Sequence, residues 1–312
     1  MHNKASCYQT RMFIDRHGDI YPCCFKNNDS RFIIANIRQE DAIERCLSFD
    51  VNCSCDFHIF RKLNENEKIV RCHMQTSLQC HGSCAVCYVG APLKGEKIEV
   101  NYDQALSFLS KLAPSELFLE GGEVPIQKNA MEFAEKIKDI IPLKRFHLLT
   151  NGCYPTKTAE RIASIFESIS VSFMAFSNLI YFIETGLDVK ITKQFFEYLY
   201  NANKCMGARF IVTPLSICDI GNFVDYISNF KNIFVTFADS NLYDFVKNTP
   251  HIPYWSQVIN RSEFVLKKSL VKNNIKNKNN KNTLWIEPRT ARLFSINKHF
   301  VNEFSLCNIA GV

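Results

Sequence analysis

Cys80-His81-Gly82-Ser83-Cys84-Ala85-Val86-Cys87 is the stretch from which the rest of the chain is read. Three cysteines within eight residues let their thiolates converge on one metal centre. Clusters of four irons are normally held by four cysteines, so three leave one iron without a protein ligand. An open iron has a use when something other than protein is to bind it.

From about residue 67 the pattern around these cysteines is one of strands alternating with helices. Residues 68–74 read as a strand leading into the motif. Residues 101–112 put Ala105, Leu106, Leu109 and Leu112 on one helical face, with Asn101 as the cap. Residues 129–141 do the same with Met131, Ala134, Ile137, Ile140 and Ile141, and residues 158–169 with Ile162, Ile165, Phe166 and Ile169. Strands are expected at 116–119, 146–149, 170–175, 209–212 and 233–237, and further helices at 192–201 and 219–230. Six βα units of about thirty residues imply a parallel sheet with right-handed crossovers.

Barrels of parallel strands carry their active sites at the C-terminal strand edge. Glu120-Gly121-Gly122-Glu123 falls there, after the second strand. Two glycines let backbone approach a ligand closely, and a carboxylate beside them accepts bonds from an ammonium. Thr150-Asn151-Gly152 ends the third strand, where Asn-Gly is also a common turn. Arg209, Thr213 and Asp239 lie at later strand ends, facing a substrate or serving as ordinary polar termini.

The chain of 312 residues suits one large domain plus a smaller one. A hydrophobic content of 46% with 11 glycines and 10 prolines is globular in character. The net charge of +6 gathers much of its lysine in one late segment, so it says little of the main body's partner. No signal-peptide pattern opens the sequence, which argues against a secreted disulfide scaffold for its 14 cysteines. The longest uncharged run, residues 168–183, is broken by serines and an asparagine and is too short to span a bilayer. The expectation is a reducing cytoplasm, no membrane, and cysteines used for metal.

The first 66 residues are cysteine-rich in their own right. Residues 12–15 read as a strand, His17-Gly18-Asp19 as a turn and Ile20-Tyr21 as the return of a hairpin, with a helix over 40–47. Four-cysteine sites of irregular spacing also bind structural zinc, so a zinc-stapled hairpin is the alternative here. A zinc site joining Cys80, Cys84 and Cys87 to His81, His73 or His147 is the alternative at the main motif. Residues 267–281 are rich in Lys and Asn and read as a solvated linker, while 283–286 and 291–296 read as a terminal hairpin.

The spacing Cys80-x-x-x-Cys84-x-x-Cys87, followed by the aromatic Tyr88, resembles the cluster motif of radical S-adenosylmethionine (radical SAM) enzymes. The resemblance implies an α/β fold, a partial (β/α)6 TIM-like barrel over 67–255, preceded by a small cysteine-rich module over 1–66 and followed by a tail over 256–312. It implies a 4Fe-4S cluster on Cys80, Cys84 and Cys87 with S-adenosyl-L-methionine at the open iron. Gly121, Gly122 and Glu123 match the family's Gly-Gly-Glu, which holds the methionine amino group, although Val124 separates it from Pro125. Thr150 and Asn151 match its Thr-Asn-Gly, and Ser172 the polar residue that touches the ribose or carboxylate, with Ser170 on the same face. Cys7, Gly18 and Cys23 resemble the opening of a SPASM or twitch module. Cys7, Cys23, Cys53 and Cys55 would then hold a second, auxiliary 4Fe-4S cluster, with Cys24, Cys46 and Cys72 as substitutes. Cys153, after Thr-Asn-Gly, is the candidate hydrogen-atom donor.

The activity so implied is reductive cleavage of SAM to a 5′-deoxyadenosyl radical, fed by flavodoxin or ferredoxin, and hydrogen abstraction from a peptide or protein. The rivals are a radical dehydrogenase of a sugar or alcohol, an RNA-modifying enzyme using the Lys/Asn stretch against phosphate, and a metal-stabilised interaction module without turnover. A nucleic-acid partner is the disfavoured one.

Overall fold

The structure, a computed structural model, describes residues 4–5, 11–22, 29–49, 61–62, 71–87, 89–91, 98–239 and 283–286. Cys7, Cys23, Cys24, Cys53, Cys55 and Tyr88 lie outside them, as do the whole Lys/Asn-rich stretch and residues 291–296. The chain divides into two units, Met1–His81 with Val89–Thr150 and Arg161–Ser168, and Gly82–Tyr88 with Asn151–Glu160 and Ile169–Val312.

The first unit begins with the expected hairpin. Strand β1 (Arg11–Ile14) pairs antiparallel with β2 (Asp19–Tyr21), and β2 with β3 (Ala35–Asn36), before helix α1 (Ala42–Ser48). On its other edge β1 runs parallel to β4 (Arg71–Gln75), so residues 11–36 extend the same ladder as the later strands. Helix α2 (Tyr102–Leu112) starts where sequence places it: the Asn101 side chain accepts from Gln104 N at 3.0 Å, satisfying one orphan donor of the first turn. Strand β5 (Glu116–Glu120), helix α3 (Lys128–Ile140) and strand β6 (Arg145–Thr150) follow, with β4, β5 and β6 parallel. Helix α4 (Thr156–Ile165) comes next. Cys72, Met74, Leu117, Leu119, Phe146 and Leu148 point to one face and are buried, as are Ala105, Phe108 and Leu109 of α2 and Met131, Phe133, Ala134 and Ile137 of α3.

The second unit holds β7 (Ser168–Phe173), α5 (Asn178–Thr185), α6 (Val189–Asn201), β8 (Cys205–Val212), α7 (Ile220–Ile227), β9 (Phe234–Asp239) and β10 (Thr283–Ile286). Strands β8, β9 and β10 are parallel neighbours. Its core is aromatic. Phe173, Phe196, Phe210, Phe223 and Phe237 are wholly buried, and Phe223 lies 5.6 Å from Phe173, 4.8 Å from Phe210 and 5.7 Å from Phe237. Removing one such ring costs about 3–5 kcal/mol.

Two elements differ from the sequence reading. The helix expected over 158–169 stops at Ile165, because Ile169 is already a buried residue of β7. Apolar residues of a helix end and of the next strand run together, and periodicity does not separate them. Helix α5 was not anticipated within its uncharged run; Leu179, Phe182 and Ile183 are exposed on it, so it lacks a polar outer face. The strand expected at Thr283–Ile286 is present and pairs parallel with β9, at Phe234↔Thr283 to Phe237↔Ile286, while the other half of the expected hairpin, 291–296, lies outside the described residues. No described helix is long and apolar enough to cross a membrane.

Candidate cofactor and metal site

At the C-terminal edge of the first unit, the loop that follows β4 lies against the loop that follows β5. Thr76 N donates to Glu120 O (3.1 Å), Gly122 N to Ser77 O (2.8 Å) and Glu123 N to Gln79 O (2.6 Å). The chain that delivers Cys80 is thus bonded, residue by residue, to the Gly-Gly-Glu turn. Here the two glycines have a definite reason. A Cβ on Gly121 would sit 2.5 Å from Ser77 O, at a φ of +139° that side chains rarely adopt, and one on Gly122 would meet the backbone of Leu78 and Gln79. The close approach expected of these glycines is to the cysteine-bearing backbone.

Glu123 is 2% exposed, and its Oε1 accepts from Thr150 Oγ1 at 2.5 Å. Thr150 ends β6, so the carboxylate is oriented from the neighbouring strand. Gln127, buried before α3, ties the arrangement together. Its Oε1 accepts from Thr76 Oγ1 (2.8 Å), and its Nε2 donates to Gln79 O (3.3 Å) and Glu123 O (3.2 Å). Sequence reading missed Gln127 and Thr76. The one signal for Gln127 is a polar residue beside a helix start, which is ordinary at an N-cap.

The rest of the motif belongs to the second unit, where it hangs on the end of α5. Ser83 N donates to Thr185 O (2.8 Å) and Ala85 N to Glu184 O (3.0 Å). Glu184 is buried, and its carboxylate accepts from Thr213 Oγ1 at 2.5 Å. Thr213, a candidate substrate contact by sequence, is instead wholly buried and braces this anchor. Asp219 holds the other end of α5, accepting from Phe176 N (2.6 Å) and Ser177 N (2.5 Å). Charge at a helix N-terminus meets the positive end of its dipole.

Cys80, Cys84 and Cys87 are in no disulfide and are half-buried. Among the described residues no three His, Cys, Asp or Glu side chains form the close set that a single ion takes. In a cluster each thiolate has its own iron, which asks for wider spacing than tetrahedral zinc does. Of the histidines of the zinc alternative, His147 is engaged elsewhere, its Nδ1 2.6 Å from Ser168 Oγ, and His73 stacks on Phe118. Burial, with Arg145, His73 and Arg71 nearby, holds His147 well below its usual range, so it is neutral.

Asn151 Oδ1 accepts from Cys153 N (2.9 Å), closing an Asx turn, and its carbonyl accepts from Thr192 Oγ1 (3.3 Å). Cys153 Sγ faces Asp188 O at 3.8 Å. Ser172 and Ser170 are half-buried on β7, and Ser170 packs where Gly207 leaves room. Cys46 and Cys72, the substitute ligands, are buried thiols; burial pushes Cys46 up to about 12 and Cys72 higher still, as befits small apolar residues.

The open face of the first unit's sheet is polar. Arg71, His73 and Gln75 of β4 stand in register with Glu116, Phe118 and Glu120 of β5, and Arg145 and His147 of β6 continue the first two rows. Parallel sheets are normally apolar on both faces. Arg71 pairs with Glu116 (Nε to Oε2, 2.6 Å) and lies 4.7 Å over the Phe118 ring. Burial lowers the Arg71 guanidinium to about 10, which leaves it charged at neutral pH.

No protein-family model and no curated protein matches the chain. Among solved structures it is similar to SuiB of Streptococcus suis. SuiB bound to S-adenosylmethionine aligns at a TM-score of 0.53 and 13% identity, covering 74% of this chain and 52% of SuiB. SuiB bound to the precursor peptide SuiA aligns at 0.52 and 13%, covering 96% and 75%. A further SuiB structure aligns at 0.50 and 14%, covering 70% and 49%. The chain thus spans about half the length of SuiB in two of the three alignments. At these identities what is shared is the fold, mixed α/β with mostly parallel strands.

Proposed function

We propose that this chain is a radical SAM enzyme that modifies a peptide or protein. The observation that carries the reading is the bonding of the Cys80 loop to the Gly-Gly-Glu turn, through Gly122 N to Ser77 O and Glu123 N to Gln79 O. It joins the two motifs whose resemblance suggested the family, and does so at the strand edge where such sites lie. The residues fit the implied groups. Three cysteines outside any disulfide make a donor set for iron, and a buried carboxylate oriented by Thr150 suits an ammonium. The S-adenosylmethionine and peptide complexes of SuiB, whose fold this chain shares, support SAM and a peptide as the ligands.

In this reading Cys80, Cys84 and Cys87 hold the 4Fe-4S cluster, and Glu123 takes the methionine amino group. Asn151 and Ser172 line the cofactor, and Cys7, Cys23, Cys53 and Cys55 hold a second cluster. When bound, the cluster and SAM supply one-electron cleavage to a 5′-deoxyadenosyl radical that removes a hydrogen atom from an unactivated carbon. The chain's own work is to fix the methionine amino group with Glu123, to hold that carboxylate still with Thr150 and Gln127, and to keep the cysteine loop from moving.

Anaerobic reconstitution followed by iron and sulfide counting tests this. About four irons per chain are expected for the SAM cluster, and about eight with the auxiliary one. SAM with a strong reductant should then release 5′-deoxyadenosine, and Cys84→Ala should abolish the release. Zinc as the only metal, or no 5′-deoxyadenosine from an iron-loaded protein, would overturn the proposal.

A further inference from the structure

One pair on the polar face is used by nothing described so far. Glu120, the last residue of β5, is 5% exposed, and its Oε1 has no hydrogen-bond partner. His73 of β4 stands across from it with Nδ1 3.5 Å from that oxygen, and Nδ1 is equally unpartnered. A separation of 3.5 Å is beyond an N–H···O hydrogen bond, and the two atoms form an ion pair only when His73 is protonated. Buried polar atoms are nearly always bonded, and each exception asks for a cause.

The surroundings give one. His73 is stacked on Phe118 (centroids 4.5 Å, planes 11° apart), and Phe118 lies against His147 (4.6 Å), so His73 is held in place by a row of stacked rings. The other charges of this face are matched: Arg71 with Glu116, and Arg16 Nη1 with Gln75 Oε1 at 3.4 Å. Glu123 accepts from Thr150. Glu120 is the carboxylate left without a donor, at the strand edge where α/β sheets take ligands. A positive group is the complement of a buried carboxylate.

We infer that Glu120 and His73 form a subsite for a protonated amine of the substrate, the side-chain ammonium of a lysine in the peptide. An ammonium brings three donors. One reaches Glu120 Oε1 and a second the lone pair of His73 Nδ1. This rests on the peptide-modifying reading and makes it more specific. Glu120 and His73 would set which residue is presented; they take no part in holding SAM.

The test uses the reconstituted full-length chain with fluorescently labelled acetyl-Gly-Ser-Lys-Ser-Gly-amide and its norleucine counterpart, which has the stem without the charge. Fluorescence polarisation should give the lysine peptide an affinity about tenfold or more above the norleucine one, the worth of a charge-assisted bond. Glu120→Gln, which keeps shape and removes charge, should bring that ratio to about one. Equal or absent binding of both peptides by the unaltered chain overturns the inference without recourse to any variant. So does a ratio that survives in a folded Glu120→Gln protein. The two proposals fail separately. A protein that releases 5′-deoxyadenosine yet ignores the lysine loses only the subsite, and one that prefers lysine but holds no iron loses only the radical chemistry.

Discussion

Gly122→Ala is the sharpest perturbation of the proposed site. Its new Cβ would lie 2.5 Å from Leu78 C and 2.6 Å from Gln79 C, both backbone, where ordinary contact begins at 3.4 Å. No rotamer change relieves that, so the loop carrying Cys80 must retreat by about 0.9 Å, the difference between 3.4 and 2.5. Gln79 O is nearer still, so that displacement is a minimum, and the bonds Gly122 N to Ser77 O and Glu123 N to Gln79 O, now 2.8 and 2.6 Å, would both be lost. Two such bonds at about 1 kcal/mol each, with about 1–3 kcal/mol for overpacking, amount to about 3–5 kcal/mol. Thermal melting followed by circular dichroism should fall by roughly 10 °C. Iron bound after anaerobic reconstitution should fall with it, because the loop that bears the first cysteine has moved. Gly82→Ala is the control: its nearest neighbour is a leucine methyl at 3.3 Å, which can give way, and little should change. A Gly122→Ala protein that melts with the wild type and binds the same iron would refute the claim that these glycines serve the cysteine loop.

Thr213→Val removes the donor to the buried Glu184 carboxylate beneath the Ala85 anchor, and should lower unfolding free energy by about 1.5–3 kcal/mol in urea, with Thr213→Ser restoring it. An unchanged urea midpoint would refute the brace. Thr150→Val leaves Glu123 without that donor, and should weaken SAM binding to the iron-loaded protein by about tenfold in calorimetry while leaving its iron content intact. Affinity equal to wild type would show that Glu123 needs no such partner. Burial holds His147 well below its ordinary value near 6.5, so the unfolded chain takes up that proton first as pH falls. Its contribution is complete above about pH 6.5 and is lost below it, by up to about 1.4 kcal/mol per pH unit. The stability difference between wild type and His147→Gln should therefore shrink from pH 7 to pH 5, and a flat difference would contradict the buried, neutral assignment.

Much of the site could be read from the chain alone because its signals are local. Asn101 caps α2 because its own side chain reaches an amide three residues on. The cysteine spacing and Gly-Gly-Glu are short motifs, and each falls at a strand end that apolar periodicity locates. What joins them is not local. Gln127 is an unremarkable glutamine until Thr76, Gln79 and Glu123 converge on it from other loops. Helix α5 is written in residues without a polar face, so no period marked it, yet its last carbonyls carry Ser83 and Ala85. Thr213 looked like a strand-end polar group, and only its burial against Glu184 gives it a task.

By itself, then, the sequence determined which residues could do chemistry and on which strand ends they stand, since motif spacing and hydrophobic period are properties of neighbours along the chain. The tertiary structure decided the partners: which carboxylate is satisfied, as Glu123 is by Thr150, and which is not, as with Glu120 facing His73. Those facts depend on parallel strands set side by side from segments 27 to 59 residues apart, as in Thr150 to Glu123 and Arg16 to Gln75. A hydrogen bond across such a span leaves no periodic trace in the sequence, because it is set by strand order and register alone.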